Sequence, residues 1–284
     1  MIDSTFGSNM PSLAEEKDVT YRYKYTPFDA GALKMVTEGT IKFSDPRQFN
    51  DPFDCFPIYG TQSLHRVPNQ KSNLFRAAGN RRGYSPAQRL QRKGEFVARL
   101  KARVEDGSFA SDILNRIGIV CLSKNPLNIL MWSHYANFHK GMVLEFRIPV
   151  LGDDSMETRL SELLVPTEVS YVKERPHIEL AESDGTSNLA MATKALCTKC
   201  DIWEYEEEER VIALNRLPGI YPYARDEILS SVIAGMKMPE SDYAELNSAV
   251  KNLKKSSHLP VELYKAIPVS TGFQLTVPGH PRVN

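Results

Sequence analysis

The sequence predicts an α+β fold of mixed, mostly antiparallel sheets flanked by helices. Three observations lead there. Segments alternating with period two interleave with segments of helical period, yet no regular strand-helix-strand repeat runs along the chain, which disfavours a doubly wound sheet. Apolar residues make up 42% and charged residues 25% of 284 residues, enough apolar surface for a sizeable core. No composition break divides the chain, so residues 19–284 read as one domain behind a polar, aperiodic, flexible tail over residues 1–18.

The elements follow in order. Tyr21 to Tyr25 alternates Tyr-Arg-Tyr-Lys-Tyr, a strand with Tyr21, Tyr23 and Tyr25 on one face. Asp29 caps a short helix over Ala30 to Glu38, with Leu33 and Val36 inward, that Gly39 stops; Thr40 to Ser44 is a second strand. Asp45 to Asp54 is a turn-rich loop, dense in Asn, Asp and Pro. Gln70 to Tyr84 reads as a flexible basic connection, and Ser85-Pro86 opens a long helix to about Val104 whose Arg and Lys form a solvated face. Ile117 to Ser123, Asn128 to Phe138 and Gly141 to Arg147 make a strand, a short helix and a strand. Val169 to Lys173 is a strand, Ser187 to Cys200 a helix and Glu206 to Leu214 a strand. A helix capped by Asp226 runs until Pro239 breaks it, another runs from Ser241 to about Lys255, and Val261 to Val277 supplies closing strands. No internal repeat and no Gly-rich phosphate loop occurs.

Composition also narrows the partners. Lys plus Arg equals Asp plus Glu, 35 against 35, so no global field draws the chain to nucleic acid or an anionic membrane, although a local basic groove remains open. The first residues lack a signal peptide's basic and apolar regions, and no apolar run approaches the roughly 18 residues of a membrane span, which predicts a cytoplasmic location. Four cysteines are too few for a disulfide framework at this length. Cys197-Thr198-Lys199-Cys200 has no second ligand pair, so no metal is expected and helix packing is its default role.

Three clusters hold residues suited to chemistry. On a strand, Glu206, Glu208 and Arg210 share one face, where paired carboxylates beside a guanidinium suit proton transfer or ribose binding; the bland alternative is a solvated acidic edge. Trp132, Tyr135 and His139 share a helical stripe, with Ser133 and His134 projecting elsewhere, which suits either a nucleotide pocket or a core aromatic stripe. Lys24 beside Tyr23 and Tyr25 suits a phosphate and Ser44 a sugar hydroxyl, while Asp51 and Asp54 close the Asn50 to Asp54 loop through their own backbone.

In this order the clusters resemble a bacterial family, domain of unknown function 2971. The resemblance rests on Tyr23-Lys24-Tyr25 with Phe28, on Phe43 through Asp54, on Trp132 to Ala136 with His139 and Gly141, and on Trp203, Glu206, Glu208 and Arg210. The same order of parts looks like that of the ADP-ribosyltransferases, which implies a split sheet and NAD as substrate. Carried over, Glu208 is the catalytic carboxylate that stabilises the ribosyl oxocarbenium ion, and Glu206 orients the acceptor. His134 joins them as a candidate catalytic residue. Ser44 touches the nicotinamide ribose, Tyr135 or Tyr23 stacks on nicotinamide, and Lys24, Tyr25, Asn50, Asp51, Trp132, Ser133 and Arg210 complete the NAD-binding set. Strand one offers Lys24 or Arg22 where that superfamily has Arg or His, and Ser44-Asp45-Pro46 replaces its Ser-Thr-Ser. The reading is an effector, of toxin or antiphage type, modifying a macromolecular acceptor. The competing reading is a nucleic-acid-binding module of a bacterial defence system, with Lys24, Arg47, His134, His139 and Lys140 along a groove and Tyr23 and Trp132 stacking bases.

Overall fold

The computed structural model describes residues 19–150, 159–181, 188–214, 216–253 and 260–283; the predicted tail lies outside them. The fold is α+β. Its residues group into two compact units, one made of Met1–Gly39, Asn125–Leu163 and Ala224–Asn284, the other of Thr40–Lys124 and Leu164–Tyr223. Neither is continuous in sequence, which is why composition shows no break.

The first unit is built on the strands Glu262–Lys265, Leu229–Ala234, Met142–Pro149 and Val19–Thr26, in that order. Met142–Pro149 runs antiparallel to both neighbours, and only Glu262–Lys265 runs parallel to Leu229–Ala234. Being central, Met142–Pro149 is a nearly continuous buried run. The tyrosine strand alternates as expected, with Tyr23 and Tyr25 buried and Arg22 and Lys24 half-buried. Asp29 caps the helix Ala30–Thr37 by accepting from the Ala32 amide at 2.7 Å, and Gly39 ends it with φ 66°. Ala32, Met35 and Val36 are the buried residues of that helix, whereas Leu33 is half-buried.

The helix predicted from Asp226 to Pro239 does not form: between Ala224 and Pro239 only Arg225–Ile228 is helical, and Leu229–Ala234 is a strand. Its Val232 and Ile233, fully buried in the sheet, follow β-branched preference over the helix start that Asp226 suggested.

The second unit has Ile117–Ser123 and Glu208–Leu214 antiparallel, with Thr167–Glu168 on the far side of the latter. Short strand pairs surround them: Thr40–Phe43 with Gly219–Pro222, Ile58–Gly60 with His177–Glu179, and Ser170–Val172 with Thr198–Cys200. The basic stretch predicted as a connection is instead helical, over Val67–Gln70 and Ser72–Asn80. The helix opened by Ser85 divides into Pro86–Gln91 and Lys93–Glu105, because Arg92 leaves helical geometry at φ −96°, ψ 18°. The helix before the cysteine pair stops at Leu196, and Thr198–Cys200 is extended.

Candidate functional site

The strongest constellation of charge lies in the second unit, around Arg210. Its side chain is 0% exposed on the strand Glu208–Leu214. Two carboxylates grip it in bidentate fashion: Nε and Nη2 donate to Glu208 at 2.9 and 3.0 Å, and Nη1 and Nη2 to Asp54 at 2.8 and 2.6 Å. Nη1 also donates to the Leu196 carbonyl at 2.6 Å, so all five N–H groups are used. Lys199 adds a second buried cation, donating to Glu206 and, at 3.0 Å, to Glu208, with Asp54 at 3.8 Å. Phe49 lies 5.5 Å from the Arg210 guanidinium and Trp203 5.1 Å from the Lys199 ammonium, so an aromatic ring covers each cation.

Local backbone geometry aims these groups. Asp54 is followed by Cys55 at φ 61°, and Glu208 is preceded by Glu207 at φ 45°, both left-handed and both non-glycine. Such residues cost about 1 kcal/mol or more each and persist where surrounding contacts over-determine them. Glu206 therefore does not sit on the strand with Glu208, as period two predicted. It closes the tight helical turn Asp201–Glu206, whose last carbonyl accepts from Ser123 Oγ at 2.7 Å, and it still reaches the cluster through Lys199.

The electrostatics hold these charges fixed. Burial pushes the Glu208 carboxyl up, but Arg210 and Lys199 outweigh it and leave the group well below the usual carboxylate range. Burial pushes the Lys199 ammonium and the Arg210 guanidinium down, and the facing carboxylates more than reverse this. Glu208 thus stays ionised near neutrality and is a fixed charge, not a proton shuttle. Asp54, Glu206 and Glu208 against Lys199 and Arg210 amount to a formal charge of about −1. A cleft of about 250 Å³ opens beside the cluster, lined by Asp54 and Lys199 from it, by Asp51, and by Phe53 and Arg175, whose guanidinium lies 5.3 Å from the Phe53 ring. Asp51 is 6% exposed and accepts from the Phe53 amide at 2.9 Å, the Asx turn that the sequence implied. Asn50 is exposed nearby in sequence, and Ser44 is held by a backbone bridge to Ile119.

The other predicted residues belong to the first unit. Trp132 is 0% exposed, donates to the Pro126 carbonyl at 2.9 Å, meets Tyr25 edge-on and is stacked by His139 at 6.3 Å and 8°. It is thereby a core ring. Ser133 donates to the Ile129 carbonyl at 2.9 Å and lies 3.2 Å from His139 Nε2; His134 is exposed and Tyr135 half-buried at the helix end. Asn137, Phe138 and His139 are left-handed at φ 46°, 55° and 68°, so the helical stripe predicted through His139 stops at His134 and the chain doubles back.

Tyr23 faces a separate buried network that sequence reading missed. Its hydroxyl donates to Glu145 at 3.2 Å, and Glu145 also accepts from Ser230 at 2.7 Å, from Arg282, and lies 3.3 Å from His280 Nε2. Burial pushes the Glu145 carboxyl up, but hydrogen bonds from His280, Arg282 and Ser230 prevail and hold it at about 2. Lys199 was missed as well, because the C-x-x-C spacing drew attention to its flanking thiols. All four cysteines are free thiols, and among the described residues no group of three His, Cys, Asp or Glu could hold a metal. Burial pushes the Cys55 thiol up and the Cys197 thiol to about 11.

Two of the motif segments that carry the family resemblance, the Trp132 helix and the Glu208 strand, now have known geometry. Residues 131–211 match the DUF2971 family model, described as protein of unknown function. The resemblance read from the sequence is borne out over that span, which includes Trp132 to Gly141 and Trp203 to Arg210. The Tyr23 strand and the Asn50 to Asp54 loop lie before the DUF2971 match, although Asp54 is clamped onto Arg210 inside it. No curated protein and no solved structure matches the chain.

Proposed function

We propose that the protein is an ADP-ribosyltransferase-like enzyme that admits one end of NAD to the cleft beside Asp54 and Lys199. One observation carries this reading: two segments far apart in sequence, Asn50 to Asp54 and Trp203 to Arg210, meet in a buried, net negative charge cluster that lines a cleft. Loss of nicotinamide from NAD develops positive charge on the ribose, and a preorganised negative site stabilises charge that exists only in the transition state. Asp54 is the carboxylate that joins the charge cluster to the cleft, whose wall also carries Asp51 and Glu174. Glu208 supplies fixed charge through Arg210 and Lys199, and Glu206 sets the Lys199 ammonium. At about 250 Å³ the cleft is smaller than the roughly 300–1,000 Å³ that enclose a drug-sized ligand, so it takes only part of a dinucleotide. The acceptor is a macromolecule, as expected of a toxin or antiphage effector.

The test is nicotinamide release from NAD by the full chain, beside Asp54→Asn and Glu208→Gln, at a temperature where circular dichroism shows all three folded. Turnover should fall by about a hundredfold or more in both variants, with a smaller change in KM. Wild-type protein that neither gains thermal stability with millimolar NAD nor releases nicotinamide would refute the proposal.

A further inference from the structure

Residues 71–105 hold ten Lys and Arg against two Glu, a formal +8 inside a chain whose total is zero. Averaging over the whole chain hides this, and a basic face offset by acidic residues elsewhere still carries a strong local field. The segment folds into the helices Ser72–Asn80, Pro86–Gln91 and Lys93–Glu105 of the second unit. Ser85 and Gln88 form a reciprocal capping box, and Gly83 turns the chain at φ 70°. The stem of Arg89 lies on Gly79, where an added Cβ would come within 2.2 Å of Arg89 Cδ, so the two helices meet closely.

That closure gathers side chains that the sequence leaves apart. Arg82, Arg89, Arg92, Arg99 and Arg103 line one pocket of about 100 Å³. Arg92, Phe96, Arg99 and Arg103 follow at spacings of four, three and four, a single helical stripe. Tyr84 and Phe96 form part of the same wall, and the Arg92 guanidinium lies 5.1 Å from the Tyr84 ring. The acidic partners are few and solvated. Glu95, whose side chain is 53% exposed, lies 3.2 Å from Arg92 and 3.8 Å from Arg99, and Asp112 meets Arg103. Exposed pairs of this kind contribute little, so an anion with better geometry displaces them.

We propose that this face binds the phosphate backbone of single-stranded nucleic acid, with an arginine-lined seat for phosphate and unpaired bases stacked against the Tyr84 and Arg92 surface. Seven of the ten basic residues are Arg, whose planar fork grips phosphate oxygens two at a time and stacks on rings. An anionic membrane asks only for charge, and a duplex hides the faces of its bases, whereas a single strand uses both the guanidinium groups and the aromatic wall. These residues differ from the Lys24, Arg47 and His134 groove that the sequence suggested, and the binding does not depend on the chemistry of the cleft.

The experiment is fluorescence anisotropy of a labelled 12-nucleotide oligouridylate with the full chain across a salt series. Wild type, an Arg82→Ala/Arg99→Ala double variant and Tyr84→Ala are compared, each checked by its melting curve. For single strands each neutralised phosphate contributes about −0.7 to the slope of log affinity against log salt, so the double variant should lose about 1.4 of slope and at least tenfold in affinity. Tyr84→Ala should weaken binding several-fold with the slope unchanged. Phosphatidylserine vesicles and a duplex of equal length should bind more weakly than the single strand. The proposal is overturned if the wild type shows no oligonucleotide binding at about 50 mM salt, if the double variant keeps the wild-type slope, or if the vesicles or the duplex bind as well as the strand. Nicotinamide release should be the same in the double variant as in wild type.

Discussion

Replacing Glu208 by Gln separates a structural charge from a solvated one. Glu208 accepts from Arg210 Nε at 2.9 Å, from Arg210 Nη2 at 3.0 Å and from Lys199 Nζ at 3.0 Å. Gln keeps one oxygen, and its NH₂ must face a cation's N–H whichever way the amide turns. A donor then opposes a donor in a buried site, and the cluster loses one negative charge. Breaking a buried ion pair costs about 3–5 kcal/mol. Arg210 keeps Asp54 and Lys199 keeps Glu206, which places the loss near the lower end, at about 3 kcal/mol. At roughly 2–4 °C per kcal/mol for a chain of this size, the melting midpoint should fall by about 6–12 °C. Exposed Glu204, four residues earlier in the sequence, serves as control: Glu204→Gln should stay within about 0.5 kcal/mol of wild type. Urea unfolding of wild type, both Gln variants and Glu208→Gln/Lys199→Met would give the numbers. The double variant should lose less than the sum of its parts, because the two groups touch. A Glu208→Gln midpoint indistinguishable from wild type would refute the reasoning, since no buried cluster tolerates that change silently.

Two further outcomes concern Glu145 and Gly141 of the first unit. Glu145 is held at about 2 against an ordinary 4.5, so the folded state binds this proton more weakly than the unfolded state does. Its contribution, on the order of 3 kcal/mol, is therefore present above about pH 4.5 and lost as pH falls toward about 2. Denaturant titrations between pH 6 and 2 should show that loss in wild type and a flatter profile in Glu145→Gln; equal slopes would show that Glu145 is not held by His280 and Arg282. Gly141→Ala places a Cβ 2.2 Å from the Thr26 carbonyl oxygen, a backbone atom without room to move, and should cost about 3 kcal/mol or more. Gly94→Ala, with open space around it in a helix, should instead stabilise by about 0.5–1 kcal/mol. Similar melting temperatures for the two variants would contradict the close approach at Gly141.

What the sequence determined alone was whatever depends on neighbours along the chain. Alternation located the tyrosine strand, an unbroken apolar run bounded Ile117–Ser123, and Asp29, Ser85 and Asn128 marked helix starts, because caps and periodicity act over three or four residues. The pairing of Glu208 with Arg210 on one face was equally local. Tertiary structure decided the rest. Leu229–Ala234 became a strand because the buried edge beside Met142–Pro149 outweighed a weak local helix signal, and the basic stretch after Gln70 became helical with Phe75 set edge-on against Phe96 of a later helix. Lys199 acquired its role only when Thr198–Cys200 extended and turned it toward Glu206 and Glu208. Asp54, read as a residue that closes its own loop, became a ligand of Arg210 across 156 residues of sequence. No spacing rule reports such a contact, because burying a guanidinium requires carboxylates from wherever the fold brings them, and it is burial that turns surface charge into fixed charge.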